Sequence, residues 1–513
     1  MRWISDHHFD EGSFNETIQG LVRNSPWWMI SIAVHGVALF VLWTIPFKIT
    51  TTDQNVNLQA SLLEEIADAD QQEEEEPPPE VPEEQVEEDP ILTEDEDERN
   101  ETNTDSEFET TDGEDGMSDA PFAGPSTNPA IGLGGGAGGG PGGDGGRWNK
   151  RIKGGTGYTE IPVELGLKWL ADHQDIDGMG GWDCDEFMKH DPANDRCTGP
   201  GKAHYDPGVT GLALLAFLGA GYTDQGDPRR NPYANNVRQG LRYLITIQDD
   251  EGCFGPRSSQ HFMYNHAIAA LAMSEAYWMT RNPRYKKPAQ EALNFIAASR
   301  NHYLAWRYDP RGGENDTSVT GWMIMALKSG KFGGLDIDPD AFEGARNWID
   351  KMTDPEFGQV GYTEQGGISA RLEAVQDKFP ANKTQAMTAV GMLTRIFLGE
   401  DPRESEMIKK GAKLCEELLP NWNPDDGSID MYYWYYGTLA MFQVGGKSWR
   451  KWNEAMKKAI VEHQNRKGKG ARAGSWDPIG AWGPDGGRVY ATASMVMCLE
   501  VYYRYDKVFG GIR

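Results

Sequence analysis

Cysteine is scarce in this chain. Five residues in 513 (Cys184, Cys197, Cys253, Cys415 and Cys498) are too few and too scattered for a disulfide scaffold. Cys415 and Cys498 fall in apolar helical patterns and read as small core residues. Cys184 and Cys197 share one long loop and are the two that can pair if the domain lies in an oxidising compartment. A concentrated basic face is also missing, which argues against nucleic-acid binding. The formal charge is -30, but residues 61–120 alone hold 27 acids against a single Arg99. Residues 149–513 carry 46 acids and 44 bases and are nearly neutral. The acidity therefore belongs to a linker and not to a folded surface. Residues 61–120 have one aromatic residue, Phe108, and cannot bury a core.

Uncharged apolar runs of membrane-spanning length are equally rare. Residues 26–47, PWWMISIAVHGVALFVLWTIPF, contain no acid, Lys or Arg. At 1.5 Å per residue they cross a bilayer core of about 30 Å as one transmembrane helix. Trp27, Trp28 and Trp43 lie near its ends, where amphipathic rings prefer the interface. The run is too long for a cleaved signal peptide, and no small-residue cleavage site follows it. Arg2 and Arg23 precede the span and only Lys48 follows it closely, so residues 1–25 are expected in the cytoplasm. The rest is then expected on the periplasmic side of an inner membrane. Residues 48–148 read as a disordered linker, first acidic and Pro-rich, then Gly-rich (IGLGGGAGGGPGGDGG). Ser31 and His35 share one face of the span, at a depth where polar groups are costly.

From about Tyr158 the texture becomes helical, with Gly-, Pro- and Asp-rich turns between apolar periods. One set of segments opens with a small residue followed three later by a bulky one: GLKWL at Gly166, GLRYL at Gly240, ALNFI at Ala292, ARNWI at Ala345, GAKLC at Gly411 and, more weakly, AMKKAI at Ala455. A more apolar set alternates with it, from VTGLALLAFLGAG to YATASMVMCLEVYY. Six such pairs predict one helix set buried all round and another buried on one face. The fold expected for 149–513 is all-α, an (α/α)6 toroid of six helix hairpins, with the apolar set inside.

LGLKWLADHQDIDGMGGW (165–182) and AIVEHQNRKGKGARAGSW (459–476) resemble the Gln-to-Trp repeat of squalene and hopene cyclases, and IQDDEGCFG (247–255) is a partial copy. The resemblance extends to the prenyltransferase repeat family, which shares the toroid, and implies an isoprenoid-like ligand. Separately, SIAVH followed by EEEEPPPEVPEE resembles the start of TonB-like energy transducers. That implies docking of the Ser31/His35 face on proton-driven motor proteins of the inner membrane; a plain anchor is the alternative.

In cyclases the acid comes from an Asp-x-Asp-Asp-Thr-Ala motif opening an inner helix. The best match is GENDTS, where Gly313 and Asn315 replace two acids and only Asp316 and Thr317 match. Asp316, with Glu314 beside it, is the candidate acid; an N-cap is the other reading, and Asp206 in HYDPGVTG has the same two readings. Candidates for a cavity wall are Tyr264, His266, Trp322, Tyr432, Tyr433, Trp434, Tyr436 and Tyr490, although rings of this kind also serve as core. No cofactor or metal is expected. The prenyltransferase zinc set has no counterpart, and the spacing of His173, Cys184, His190 and Cys197 fits no standard pattern. The thioester Cys-Gly-Glu-Gln of complement-like toroids is absent. Three functions stay open: a membrane-anchored toroid that binds an apolar ligand or a protein partner, an isoprenoid cyclase or transferase with a non-standard acid, and a TonB-like force-transducing or structural envelope protein. Protease added to spheroplasts is expected to release a helical domain by cutting between residues 131 and 146; full protection would reverse the topology.

Overall fold

The computed structural model describes residues 157–501 except Lys467. The expected anchor (26–47) with Ser31 and His35, and the linker (48–148), lie outside the described residues. Among those described, no helix is long and apolar enough to cross a membrane.

Twelve α-helices follow one another, alternating between two kinds. The outer set comprises α1 (Gly157–Asp172), α3 (Ala234–Thr246), α5 (Pro283–Ser299), α7 (Pro339–Met352), α9 (Glu406–Glu417) and α11 (Gly446–Val461). The inner set comprises α2 (Asp206–Gly219), α4 (Phe262–Thr280), α6 (Thr317–Gly333), α8 (Ala386–Phe397), α10 (Met431–Val444) and α12 (Gly483–Leu499). Each inner helix packs on the next, and α12 packs back on α2, closing the ring. The sheetless (α/α)6 toroid read from the sequence is present in these residues.

The sequence periods explain the two layers. In α2 every residue from Pro207 to Gly219 is buried, so its near-continuous apolar run has partners on all sides. Outer helices bury one stripe, as in α3 with Val237, Gly240, Leu241 and Leu244. Three of the small residues that open outer segments, Gly166, Gly240 and Gly411, mark helix crossings. A Cβ on Gly240 would sit 2.8 Å from the Trp182 ring and 2.9 Å from Leu214 of α2. Small residues also let inner helices meet: a Cβ on Gly321 of α6 would lie 2.4 Å from Val390 of α8.

The Gln-to-Trp segments close helix ends. Trp182, Trp306 and Trp476 donate their indole N–H to Leu170 O, Ile296 O and Ile460 O, at 2.7, 2.8 and 2.7 Å. Each of these carbonyls lies in the last turns of an outer helix and lacks a helical partner or shares one. The glutamines tie one outer helix to the next. Gln174 donates to Gly180 O and to Asn236 O of α3, and Gln248 to Gly252 O and Pro288 O of α5. Gln464 donates to Gly474 O and to Pro162 O of α1, both at 2.8 Å, joining the last outer helix to the first.

Replacing Gln464 by Leu removes both donors and leaves two carbonyls facing a buried apolar group. A loss of about 1–3 kcal/mol is expected in urea unfolding. Gln359→Leu, whose amide bonds stay in its own loop with Gly366 O, is expected to cost less.

Candidate functional site

The inner helices all begin on one side of the ring, and their first turns enclose a cavity of about 350 Å³. All six contribute: Val209, Tyr264, Ser318, Met387, Tyr432 and Tyr490 come from α2, α4, α6, α8, α10 and α12 respectively. Loops entering these helices complete the wall with Tyr205, His261, Tyr308, Tyr362, Arg371 and Trp482.

Acidic residues sit where inner helices start. Asp316 caps α6, its Oδ1 accepting the Val319 N–H at 2.7 Å, and Asp430 caps α10 by accepting the Tyr433 N–H at 3.0 Å. Asp430 is also ion-paired with Arg371 at 2.8 Å, both side chains almost wholly buried. Asp485 opens α12; Tyr205 Oη donates to it at 3.2 Å, and Lys202 Nζ lies 2.6 Å away.

Asp316 is behind the wall and connected to it. The Tyr362 hydroxyl donates to Asp316 Oδ2 at 3.2 Å, and Tyr362 is hydrogen-bonded in turn to Tyr308, which faces the cavity. The Arg307 guanidinium lies 3.7 Å from Asp316 Oδ2 and covers the Tyr308 and Tyr362 rings at 5.1 and 5.8 Å. Burial pushes the Asp316 carboxyl up to about 7, outweighing the Val319 N–H and Arg307, which pull it down. A carboxyl of this kind can hold and release a proton near neutrality, and the two tyrosines connect it to the cavity. Burial drives His261 the other way, below its usual value, and so favours the neutral ring.

The remaining sequence candidates divide. Tyr264, Trp322, Tyr432 and Tyr490 line the cavity. Tyr436 lies beneath it, edge-on to Trp322 at 5.3 Å. His266 does not reach it. Its Nδ1 accepts the Phe254 N–H, its Nε2 meets Ala292 O at 3.1 Å, and burial lowers its pKa to about 3. Tyr433 donates to Cys415 O and packs on Trp452, while Trp434 packs near Trp422. Of the five consecutive rings on α10, only Tyr432 reaches the wall, because a helix turns the others towards its neighbours. Glu314 is exposed and paired with Arg307 at 2.6 Å, outside the cavity. Asn315 accepts from the Ala305 N–H and from Asn301, organising a loop. Asp206 turns away as well, accepting the Cys184 N–H at 2.8 Å. Burial, reinforced by Asp183 and Asp185, raises Asp206 to about 7. Cys184 and Cys197 are free thiols with different surroundings, Cys184 against Gly486 O and Cys197 beside His173.

Sequence reading missed the loop-borne wall residues, which obey no helical period. One signal for the helix starts was present: DPGVTG at Asp206 and DTSVTG at Asp316 share their spacing.

No family model matches this chain, and no curated protein matches it. Solved structures with some likeness include an alpha-1,6-mannanase from Salegentibacter sp. HEL1_6, 13% identical over 67% of this chain and 99% of its own, TM-score 0.44. A type II terpene cyclase from Scytonema is 10% identical over 68% and 96%, TM-score 0.41. A cellobiose 2-epimerase from Bacillus thermoamylovorans is 15% identical over 67% and 98%, TM-score 0.44.

The Asp316 environment predicts a pH signature. Its folded pKa of about 7 exceeds the unfolded value of about 3.9, so between these values the folded chain binds the extra proton. Its contribution is therefore fully present at low pH and is lost as pH rises from about 4 to about 7. Asp316→Asn keeps the cap and removes the titration. Relative to wild type the variant is expected to gain about 1.4 kcal/mol per pH unit across that window. Denaturant unfolding at pH 5 and pH 7 checks this; an equal difference at both values would contradict it.

Proposed function

We propose that the toroid is a binding protein for an elongated apolar ligand of isoprenoid type, held in the cavity at the start of the inner helices with its polar end recognised by a few wall atoms. The observation that carries this reading is how the wall spends its hydroxyls. Tyr432 is bonded to Ser318 at 2.7 Å, Tyr308 to Tyr362, and Tyr205 to Asp485. The rings therefore turn mostly carbon towards the space. Only a few polar wall atoms, among them Tyr490 Oη, Trp482 Nε1 and Asn265 Oδ1, are buried without a hydrogen-bond partner. A sugar needs many more donors and acceptors than this, whereas a polyprenyl chain with one polar end needs few. The span and linker read from the sequence would hold such a receptor outside the cytoplasm within reach of membrane lipid, and the Ser31/His35 face would couple it to an inner-membrane motor.

A second reading rests on Asp316. Protonated, it can pass its proton through Tyr362 and Tyr308 to a double bond or leaving group in the cavity, which would make the protein a cyclase or transferase with a displaced acid.

Calorimetric titration of the full chain in detergent with farnesol is expected to show binding, weakened about tenfold by Trp322→Ala. Binding of a soluble oligosaccharide with none of farnesol would sink the receptor reading. Conversion of a polyprenyl probe, abolished by Asp316→Asn, would move the assignment to the enzyme.

A further inference from the structure

The long connection from α1 to α2 crosses the junction between the first and last hairpins. Thr198 O accepts from Arg488 Nε at 2.8 Å, Gly199 O from the Arg488 N–H, and Asp485 O from the Lys202 N–H. Asp195 Oδ2 accepts the Ala471 N–H. Within this connection, His173, Asp191 and Cys197 converge. All three are buried, and their ligating atoms lie within 4.8 Å of one another.

We propose that His173 Nε2, an Asp191 carboxylate oxygen and Cys197 Sγ bind a zinc ion, with water as the fourth ligand. The imidazole is already oriented for it. Nδ1 lies 2.7 Å from Trp169 O and donates its proton there, and the ring stacks on Trp169 at 4.0 Å. Fixing that tautomer leaves the Nε2 lone pair for a metal, as carbonyls hydrogen-bonded to the far nitrogen of a ligating imidazole do in zinc sites. Nε2 itself stands 2.7 Å from Asp191 Oδ1, so the nitrogen and the carboxylate already converge on one point.

The sulfur–nitrogen distance suits the ion as it stands, and the 2.7 Å between Nε2 and Asp191 Oδ1 widens to about 3.3 Å when both bind it. Cys197 Sγ is 3.7 Å from Nε2; tetrahedral zinc, with bonds of 2.3 Å to sulfur and about 2.05 Å to nitrogen, separates these atoms by about 3.6 Å. Asp191 Oδ2 accepts the Cys197 N–H at 2.7 Å, which fixes the carboxylate and the cysteine backbone relative to each other. A thiolate, an imidazole and a carboxylate favour zinc over calcium or magnesium. A pocket of about 360 Å³ lined by His173, Asp191, His190 and Lys168 gives the ion and its water a way in. Binding releases the Cys197 thiol proton to solvent. The sequence pattern misses this set because Asp191 falls between its other two ligands and Cys184 points elsewhere.

The full chain, stripped with chelator in detergent and then dialysed against zinc, is expected to retain one equivalent by elemental analysis. Cobalt in its place should give a thiolate charge-transfer band. Cys197→Ser should remove that band and weaken zinc binding by at least about 100-fold, while Cys184→Ser leaves both unchanged. Should Cys197→Ser fail to fold, the wild-type Tm is the second measurement: it rises with zinc and falls with chelator. No zinc uptake, an unmoved wild-type Tm, or a band that survives in Cys197→Ser would each overturn the site.

Discussion

Ring closure is the constraint on which the rest of this structure depends. A helix such as α2, buried from Pro207 to Gly219, is unstable at an edge, because one flank of its apolar surface would meet water. Closing α12 onto α2 supplies the missing neighbour and abolishes both edges at once. Glycines at the crossings permit the close approach, and the glutamine amides fix the spacing of the outer layer. Burial provides the driving force, while these polar ties select one geometry among the many that would bury similar area.

The cavity is a by-product of the same geometry. Six helices that begin on one side of a ring cannot fill the space between their first turns, and the loops that enter them must cover it. Helix starts carry unpaired amides, so acids such as Asp316 and Asp430 belong there for local reasons. Burial then changes what such an acid is. Capping alone would hold Asp316 ionised, but with its side chain fully enclosed the cost of desolvation dominates and the proton stays until about neutral pH. A structural cap thereby acquires the properties of an acid, and the Tyr362–Tyr308 pair makes it accessible.

The layers were legible in the sequence because burial writes itself as periodicity. Unbroken apolar runs marked the inner helices, and a small residue followed three later by a bulky one, as at Gly240 and Gly411, marked the outer ones. The cap role of Asp316 was legible from its position before a helix. What the sequence could not carry was direction. On α10, Tyr432 and Tyr433 are neighbours in the chain, yet one faces the cavity and the other the outer layer. Tyr308, Tyr362 and Arg371 line one cavity only because two separate loops, those entering α6 and α8, converge, and no spacing records that. Trp306 escaped notice as a relative of Trp182 and Trp476, because its loop begins with Asn301, which bonds to Asn315 and Glu314 O in place of a glutamine tie.

A closed ring made from an open chain has one joint unlike the others. Between successive hairpins the polypeptide itself runs across, so those joints are covalently backed. The joint where α11 and α12 meet α1 and α2 has no such backing and is held by side chains and loop hydrogen bonds alone. In mechanical terms the toroid is a split washer. At that split Gln464 grips Pro162 O and Arg488 grips Thr198 O. It is the one joint whose two sides can part without stretching a connecting loop, and parting them would leave every hairpin whole.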